Sequence, residues 1–396
     1  MPKVELISYL FHYYYLALSL SRSGYLGHYI TGPCATDDEA WIRRLGNTFE
    51  RLWIERRLEG IPPHLVKRMW FPEIIQKGIK KCGGTGEQSD FVHNGLFARK
   101  AAWMMEECDV VHFINGVGLE AARKAKKNGT KIICDMRQEH PQFQEEILSE
   151  EARKLGIAIT VPGSSYKHRV LEEIDLADHI FCPSSHAKRT FTEQGISKDK
   201  LVVCPYGVDT TTFVPRQNEK PSEKFTVLFL GSICMRKGVH YLLDAYKKAE
   251  LKNARLVLVG PVDPAFRPIL QKYDGLFEEV GQVPRSRLPL SYQRADVFVL
   301  PSLCDAYPIA VLEAMSTGLP IIISENTGTS EIIKNGREGF IVPIRDVQAI
   351  AEKLTFLFEN KTRCVSMGIA AASTIKALNW DNYQEVCANF YKSILQ

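Results

Sequence analysis

The sequence has neither paired cysteines nor a long apolar run. Its ten cysteines occur singly, without a CxxC pair or the Cys/His spacing of a zinc site. This usage predicts reduced thiols and a cytoplasmic protein, since secreted proteins normally pair their cysteines. No apolar stretch approaches the roughly 20 residues that a membrane-spanning helix needs. No basic segment precedes a clean apolar run near Met1, so no signal peptide is expected.

Strong net charge and a dinucleotide fingerprint are also missing. A formal net charge of +4 over 396 residues does not indicate a nucleic-acid-binding protein. The first candidate strand is not followed by G-x-G-x-x-G, which argues against a nicotinamide-dependent oxidoreductase. The chain length favours two domains, each with its own core.

The second half of the sequence alternates apolar runs with helical patterns. Expected strands are Thr226 to Leu230, Ala254 to Val259, Asp296 to Leu300, Pro320 to Ser324 and Gly339 to Pro343, separated by helices that include Gly238 to Glu250 and Ile309 to Ser316. Continuous apolar strands separated by helices predict a parallel sheet covered on both faces. The fold class is therefore α/β, with a doubly wound, Rossmann-like domain.

The first half has the same outline with a long interruption. Strands are expected at Val4 to Ser8, His28 to Thr31, Asp109 to Asn115, Lys131 to Asp135, His179 to Pro183 and Lys200 to Cys204. Residues 41–101 are predicted to be mostly helical and carry 12 Lys/Arg against 6 Asp/Glu. The predicted domains are 1–215, 216–378 and a C-terminal helix at 379–396. That helix either packs on the second domain or crosses back to the first.

The strand ending at Gly231 leads into a candidate phosphate-binding turn. The segment GSICMRKG places Arg236 and Lys237 together at the start of a helix. Ligands of α/β sheets bind outside the carboxyl ends of the strands. A phosphate would pair with these cations and with free helix amides. A solvated basic turn is the alternative.

A second candidate edge begins at Pro301 and leads into the helix that contains Glu313. Pro308 suits the first helical position, and the amides around it favour a polar or anionic group. Glu313 lies in an otherwise apolar helix, where a carboxylate needs a partner. Sugar hydroxyls are one such partner, and an internal Lys or Arg is another. Asp305 is either a ligand-binding carboxylate or a helix N-cap.

The spacing Asp305-x7-Glu313, within PSLCDAYPIAVLEAMSTGLP, resembles the E-x7-E signature of family-four retaining glycosyltransferases, the group 1 type with a GT-B fold. GSICMRKGVHYLLDAY resembles the phosphate-binding segment of that family, and VVCPYGVDTTTFVP its interdomain lead-in. The resemblance is collinear over about residues 178–396 and patchy before them. It implies two Rossmann-like domains that face each other across a donor and acceptor cleft.

The resemblance also implies roles for individual residues. Lys237, with Arg236, would contact the donor diphosphate, and Glu313 would bind the donor ribose. The residues implied to hold the transferred sugar are Asp305, Ala306, Tyr307, Pro308 and Ile309, those facing the base are Gln282 and Val283, and Gly231 and Ser232 complete the donor site. Arg236, Lys237 and Asp305 would be the catalytic groups. No metal or other cofactor is implied, because arginine and lysine would stabilise the departing diphosphate.

The sequence departs from the family pattern at three points. Ser232 follows the strand glycine where an arginine is common, and Asp305 is one methylene shorter than glutamate. The segment FHYYY, beginning at Phe11, stands where many members have a Gly-rich loop. In the loop after Cys134, the position of the family's catalytic-site histidine falls on Arg137, with His140 three residues later. Both are candidates, whereas His112, near a strand centre, is expected to be structural.

The predicted function is metal-independent, retaining transfer of a sugar from a UDP- or GDP-sugar to an acceptor hydroxyl. The acceptor would be a glycan, a glycolipid or a small molecule, and no nucleic acid is expected as a partner. Alternatives are another GT-B enzyme, such as an epimerase or a phosphorylase, and a non-catalytic nucleotide-sugar binder. The cations of 41–101, interleaved with Trp41, Trp53, Trp70 and Phe71, predict peripheral membrane contact. The alternative is a helical insertion whose aromatic side chains pack inward.

Overall fold

The structure, a computed structural model, describes residues 2–10, 12–36, 57–81, 86–157, 164–216 and 224–395. Its strands are β1 (Val4–Ile7), β2 (Leu26–Thr31), β3 (Ala35–Thr36), β4 (Arg57–Leu58), β5 (Val66–Arg68), β6 (Val110–Ile114), β7 (Lys131–Asp135), β8 (His179–Cys182), β9 (Leu201–Val203), β10 (Phe225–Leu230), β11 (Ala254–Val259), β12 (Glu278–Gly281), β13 (Val297–Leu300), β14 (Ile321–Ser324) and β15 (Gly339–Val342).

The α-helices are α1 (Tyr13–Arg22), α2 (Phe71–Lys81), α3 (Gly86–Met104), α4 (Leu119–Asn128), α5 (Pro141–Leu155), α6 (Ser164–Leu176), α7 (Ser185–Glu193), α8 (Val239–Ala249), α9 (Arg267–Leu270), α10 (Leu288–Gln293), α11 (Ile309–Ser316), α12 (Val347–Glu359), α13 (Lys361–Ile375) and α14 (Trp380–Leu395). None of the helices in the described ranges is long and apolar enough to cross a membrane.

Two parallel sheets organise two lobes. The first-lobe sheet has seven strands in the order β5-β2-β1-β6-β7-β8-β9, and the second-lobe sheet has six in the order β12-β11-β10-β13-β14-β15. Every pair within these two sheets is parallel. The central strands are buried along their length because helices cover both faces. The predicted α/β architecture is confirmed.

Two edge strands, β5 and β12, were not predicted from the sequence. The β5 sequence VKR is only half-buried, and residues Glu278 and Glu279 of β12 are exposed. An edge strand that faces solvent lacks the continuous apolar run by which a buried strand is recognised.

The predicted helical content of 41–101 is correct only in part. Helices α2 and α3 occupy its second half, but residues 57–68 form β4, a short 3₁₀ turn at Pro63–Leu65 and β5. Residues 41–56, which include Trp41 and Trp53, lie outside the described residues. The turn-forming Pro62 and Pro63 explain why a continuous helix cannot run through this segment.

Helix α14 crosses back to the first lobe. The Trp380 ring stacks on Tyr15 with centroids 4.1 Å apart, and the Ser19 hydroxyl donates to the Gln384 carbonyl at 2.9 Å. Deeper in the core, Nδ1 of His112 lies 2.6 Å from the Tyr391 hydroxyl. The prediction of a helix returning to the first domain is therefore confirmed, and the alternative of packing on the second domain is wrong.

Hydrogen bonds among four polar side chains also link the two lobes. We call this group, which consists of Glu151, His240, Tyr241 and Arg345, the Glu151 clasp. Glu151 of α5 is 1% exposed and accepts hydrogen bonds from His240 Nε2 at 2.9 Å and the Tyr241 hydroxyl at 2.6 Å, both on α8. Arg345 Nε, after β15, donates to the same carboxylate at 2.7 Å. Arg345 has a φ of +64°, a conformation unfavourable for a residue with a side chain. Glu150, the residue before Glu151, also contacts the Arg345 guanidinium, at 3.0 Å.

Candidate functional site

The basic turn after β10 packs directly against the end of β13. Met235–Lys237 forms a 3₁₀ turn that ends at Gly238, where φ is +65°. A Cβ atom at Gly238 would lie 2.0 Å from the Pro301 carbonyl oxygen, so only glycine allows this approach. The Leu303 amide then donates to the Arg236 carbonyl at 2.9 Å. The two sheet edges, inferred separately from the sequence, thus form one surface.

Lys237 and Asp305 meet on that surface. The Lys237 ammonium donates to the Asp305 carboxylate, and Arg236 Nη1 lies 3.8 Å from its other oxygen. The lysine and aspartate side chains are both nearly buried. Burial acts to lower the pKa of Arg236, but the charge of Asp305, with a smaller contribution from Glu139, raises it above its ordinary value. The site therefore holds two fixed cations and one carboxylate.

The loop from Asp305 to Pro308 is buried and leads into α11. Pro308, with extended φ and ψ of −70° and 112°, is the N-cap of α11, and the helix begins at Ile309. The expectations of Pro308 at the first helical position and of Asp305 as an N-cap are both wrong, because Pro308 itself is the N-cap and Asp305 forms a parallel bridge with Thr327 in the preceding loop. Ala306 and Tyr307 are 2% and 5% exposed, respectively. The amide of Ile309 lies at the start of the helix, where free N–H groups carry partial positive charge.

Glu313 has two partners within the protein. The Tyr292 hydroxyl donates to one carboxylate oxygen at 2.8 Å, and Arg285 Nη1 lies 3.1 Å from the other. Burial raises the pKa of Glu313, and the charge of Arg285 and the Tyr292 hydrogen bond oppose that rise. An internal arginine is one of the two partners considered from the sequence. Half of the Arg285 side chain is exposed, so the carboxylate lies just beneath the surface.

The remaining predicted donor-site residues lie at the same edge of the second sheet. Gly231, at the end of β10, has a φ of +147° that favours glycine, and Ser232 is exposed. Gln282 is exposed and Val283 is half-buried, directly after β12. The turn that follows carries Arg285, so the segment predicted to face the base adjoins Glu313.

His140 and His112 both have structural partners. His140 is the N-cap of α5, where its Nδ1 accepts from the Gln142 amide at 3.2 Å, and burial lowers its pKa to about 4. Its ring packs edge-on against Phe191. His112 is fully buried between Tyr391 and Asp135, as expected for a structural histidine. Neither ring extends the donor surface described above.

Arg137 differs from His140. It is half-buried after the carboxyl end of β7, and its Nε is buried with no hydrogen-bond partner in the part of the chain that the structure describes. Because β7 lies between β1 and β9 in the sheet, Arg137 follows a strand between those that precede His12 and Tyr206. Burial lowers the pKa of His12 and raises that of Tyr206, and the charge of Arg137 acts on both. His12 comes from the aromatic segment after β1, and its ring lies 4.9 Å from that of Tyr206. The position of Tyr206 beside His12 could not be predicted from the sequence.

The two lobes touch beside the predicted sugar loop. The Ser184 hydroxyl, the N-cap of α7, donates to the Ala306 carbonyl at 2.7 Å. A Cβ atom at Gly328 would lie 1.7 Å from that carbonyl oxygen, so glycine is required there too. A cavity of about 600 Å³ opens next to this contact, lined by residues that include His186 and Asn326.

Three residues that hold the site together could not be identified from the sequence: Ser184, Arg285 and Tyr292. The sequence indicated an internal Lys or Arg as one possible partner of Glu313, but it did not indicate which one. Ser184 contacts a residue 122 positions away, for which a single sequence carries no signal. No group of three or more metal-ligating side chains is found in the part of the chain that the structure describes.

Two facing parallel-sheet lobes, a basic turn and a buried carboxylate at one edge, and a returning C-terminal helix define the GT-B architecture. Residues 210–374 match the family described as Glycosyl transferases group 1. The resemblance to group 1 glycosyltransferases is thereby confirmed.

Curated relatives share this similarity. A putative colanic acid biosynthesis glycosyltransferase, WcaL of Escherichia coli, is 27% identical over 174 residues, which cover 41% of this chain and 43% of that protein. A GDP-mannose-dependent phosphatidylinositol monomannoside mannosyltransferase of Mycobacterium tuberculosis is 26% identical over 62% of this chain and 69% of its own length. The chain thus spans less than half the length of the first of these relatives.

Solved structures match the whole fold. Sucrose-phosphate synthase of Thermosynechococcus elongatus superposes with a TM-score of 0.68 at 18% identity. The superposition covers 100% of this chain and 99% of the synthase chain. Anabaena HepE in complex with UDP and glucose also has a TM-score of 0.68, at 15% identity, and covers 99% and 100%, respectively. At these identities the likeness concerns the fold.

Proposed function

We propose that this protein is a glycosyltransferase that moves a sugar from a nucleotide-diphosphate donor to an acceptor hydroxyl. The proposal rests on one observation: Asp305 contacts both Arg236 and Lys237 on one surface at the interlobe cleft. The group 1 match over residues 210–374 and the UDP bound by a protein of the same fold support it.

In the proposed reaction, Arg236 and Lys237 bind the diphosphate and stabilise the charge that develops as it departs. Fixed cations in a site of low water content stabilise such charge without reorganisation. Lys237 would exchange its contact with Asp305 for a phosphate oxygen, which frees that carboxylate for a hydroxyl of the transferred sugar. Arg285 would likewise turn from Glu313 when the donor ribose engages it.

We propose that transfer retains the anomeric configuration, by front-face attack. The leaving diphosphate would accept the proton of the acceptor hydroxyl. A double displacement needs a free carboxylate beside the reacting carbon. In the proposed complex Asp305 binds a hydroxyl of the transferred sugar beside Arg236, and Glu313 binds the ribose, so neither carboxylate is free for that role. Metal independence follows from the same cations, and turnover that survives excess EDTA would support it.

A donor screen tests the proposal. Wild-type protein would be titrated with UDP-, GDP- and ADP-sugars while its thermal unfolding is followed, because a ligand of the native state raises the melting temperature. One nucleotide family should stabilise the protein, and the same sugar should then be transferred to an acceptor. Binding without turnover over a broad acceptor panel would instead identify a non-catalytic binder, and isomerised donor would identify an epimerase.

We further propose that helices α2 and α3 bring the enzyme to a membrane with anionic headgroups. The most exposed large apolar side chains of this region are Phe71 at 62%, Ile74 at 64%, Phe91 at 54% and Trp103 at 74%. Exposed Lys77, Arg99 and Lys100 accompany them. The alternative of inward packing does not describe Trp70, which is 39% exposed, or Phe71. Apolar side chains flanked by cations suit the interface of an anionic bilayer.

Co-sedimentation with vesicles of phosphatidylglycerol and phosphatidylcholine tests this proposal. Binding should rise with the anionic fraction, weaken with added salt, and fall in the double variant Phe71→Ser, Ile74→Ser. The matched control is Val365→Ser, Ile369→Ser, which removes equally exposed side chains, at 63% and 67%, from the second lobe. Equal binding by the two double variants would contradict the proposal.

A further inference from the structure

Three buried polar atoms on the first-lobe side of the cleft have no hydrogen-bond partner among the described residues. They are Nε of Arg137, Nε2 of His12 and the hydroxyl of Tyr206, and we call these three residues the Arg137 cluster. They come from separate loops, after β7, after β1 and after β9. Buried polar atoms are hydrogen-bonded in the great majority of cases, so three orphans at one place indicate a binding role.

The cluster adjoins the predicted sugar loop. The ring of Tyr206 lies 6.2 Å from that of Tyr307, its neighbour across the cleft. Tyr307 is part of the segment implied to hold the transferred sugar. A group bound by the cluster would therefore lie next to the reacting sugar, on the side from which an acceptor approaches.

The charge of the cluster favours an anion. Arg137 forms no ion pair within the described ranges, not even with Asp135, whose carboxylate lies 3.5 Å from His112 Nε2 and whose charge also acts on His12 and Tyr206. Burial lowers the pKa of His12 to about 3, with Arg137 and Arg285 acting in the same direction, so His12 is neutral near pH 7. One cation, flanked by a neutral imidazole and a phenol, presents donors that suit a carboxylate or a phosphate.

The flanking aromatic side chains do not compete for Arg137. The Tyr9 hydroxyl donates to Asn94 at 3.1 Å, and the Tyr166 hydroxyl accepts from Asn115 at 3.2 Å. These two hydroxyl groups therefore already have partners. The described residues thus supply no hydrogen-bond partner for Arg137 Nε, which is left for a group from outside the protein.

We propose that the Arg137 cluster binds an anionic group, a carboxylate or a phosphate, carried by the donor sugar or by the acceptor, and so selects an acidic substrate. The proposal rests on the proposed function for its place next to the transferred sugar. It assigns Arg137 a specificity role distinct from binding of the donor diphosphate, for which Arg236 and Lys237 are proposed.

Calorimetric titration of the full chain with matched ligand pairs tests the proposal and separates the two sources of the anion. The donor arm compares UDP-glucuronate with UDP-glucose and GDP-mannuronate with GDP-mannose. The acceptor arm compares glucose 6-phosphate with glucose and mannose 6-phosphate with mannose. Each pair differs in one anionic group. The variants are Arg137→Met, Arg137→Lys and, as a control, Arg123→Met, which removes an exposed arginine of the same lobe.

The expected result is at least tenfold tighter binding of the charged member of one pair, the effect of a single charge-assisted contact. Arg137→Met should reduce that preference to about twofold or less, Arg137→Lys should keep part of it, and Arg123→Met should keep all of it. Affinity for UDP or GDP alone should not change. A melting curve like that of the wild type establishes that Arg137→Met is folded.

Two results would overturn the inference. One is the absence of preference in every pair. The other is an equal loss of affinity for the bare nucleotide in Arg137→Met, which would make Arg137 an ordinary diphosphate ligand. If no nucleotide sugar binds but a sugar phosphate binds through Arg137, the proposed function fails while the anion site stands. If nucleotide sugars bind and turn over without any preference for charge, the function stands and the anion site fails.

Discussion

Replacement of Glu151 by glutamine should loosen the contact between the two lobes. Glutamine keeps the shape of the side chain but removes the charge that His240, Tyr241 and Arg345 all contact. Burial alone would raise the pKa of Glu151, yet hydrogen bonds from these three donors lower it from 4.5 to about 2. Such a shift favours the charged form by about 3 kcal/mol.

The sign of the pH dependence follows from that lowered pKa. Above the ordinary pKa of a glutamate, the Glu151 clasp contributes its full stabilisation to the contact between the two lobes. Its contribution is then lost as the pH falls from about 4.5 through about 2. The stability difference between wild type and Glu151→Gln should therefore be about 2–3 kcal/mol at pH 7 and shrink toward pH 2.

The matched control is Glu150→Gln. Glu150 is adjacent in sequence and also contacts Arg345, but its side chain is 45% exposed. An exposed pair contributes little to stability because solvent screens it. The assays are thermal unfolding and the radius of gyration from small-angle scattering, in which Glu151→Gln should melt earlier and be larger. Indistinguishable behaviour of the two variants would refute the assignment of the clasp to the buried carboxylate.

Further variants test the donor site and the returning helix. Lys237→Ala should weaken nucleotide-diphosphate binding at least tenfold and nearly abolish transfer, whereas Lys247→Ala, at an exposed lysine of α8, should change neither. Glu313→Gln should lower donor affinity about tenfold without unfolding the second lobe, and normal donor binding would make this carboxylate structural. Trp380→Ala should cost about 3–5 kcal/mol of stability, because the ring is buried and stacks on Tyr15; an unchanged denaturant midpoint would contradict this packing.

The central strands could be predicted from the sequence because their environment is simple. The strands from Lys131 to Asp135 and from Ala254 to Val259 have the predicted bounds. Both are continuous runs in a parallel sheet, so burial on two faces determines their composition. Edge strands such as β12 face solvent on one side. Their polar residues interrupt the apolar run by which a strand is recognised in a sequence.

The candidate site could be predicted only as two separate segments. The pattern around Arg236 and the spacing of Asp305 to Glu313 each indicated a ligand. Their junction depends on the approach of Gly238 to Pro301, which is a property of packing. The pairing of Glu313 with Arg285 depends on where β12 ends, and that strand was not expected. Contacts between distant segments leave no local pattern in a single sequence.

The return of α14 to the first lobe affects how the chain can be made. Its Tyr391 closes the core around His112, and Cys387 Sγ lies 3.3 Å from Cys204 Sγ. The lobe whose strands emerge first from the ribosome therefore gains its last core side chains only after the whole second lobe has been synthesised. Until then its apolar surface needs protection from aggregation. Synthesis from the N-terminus thus leaves the first lobe the last to be completed.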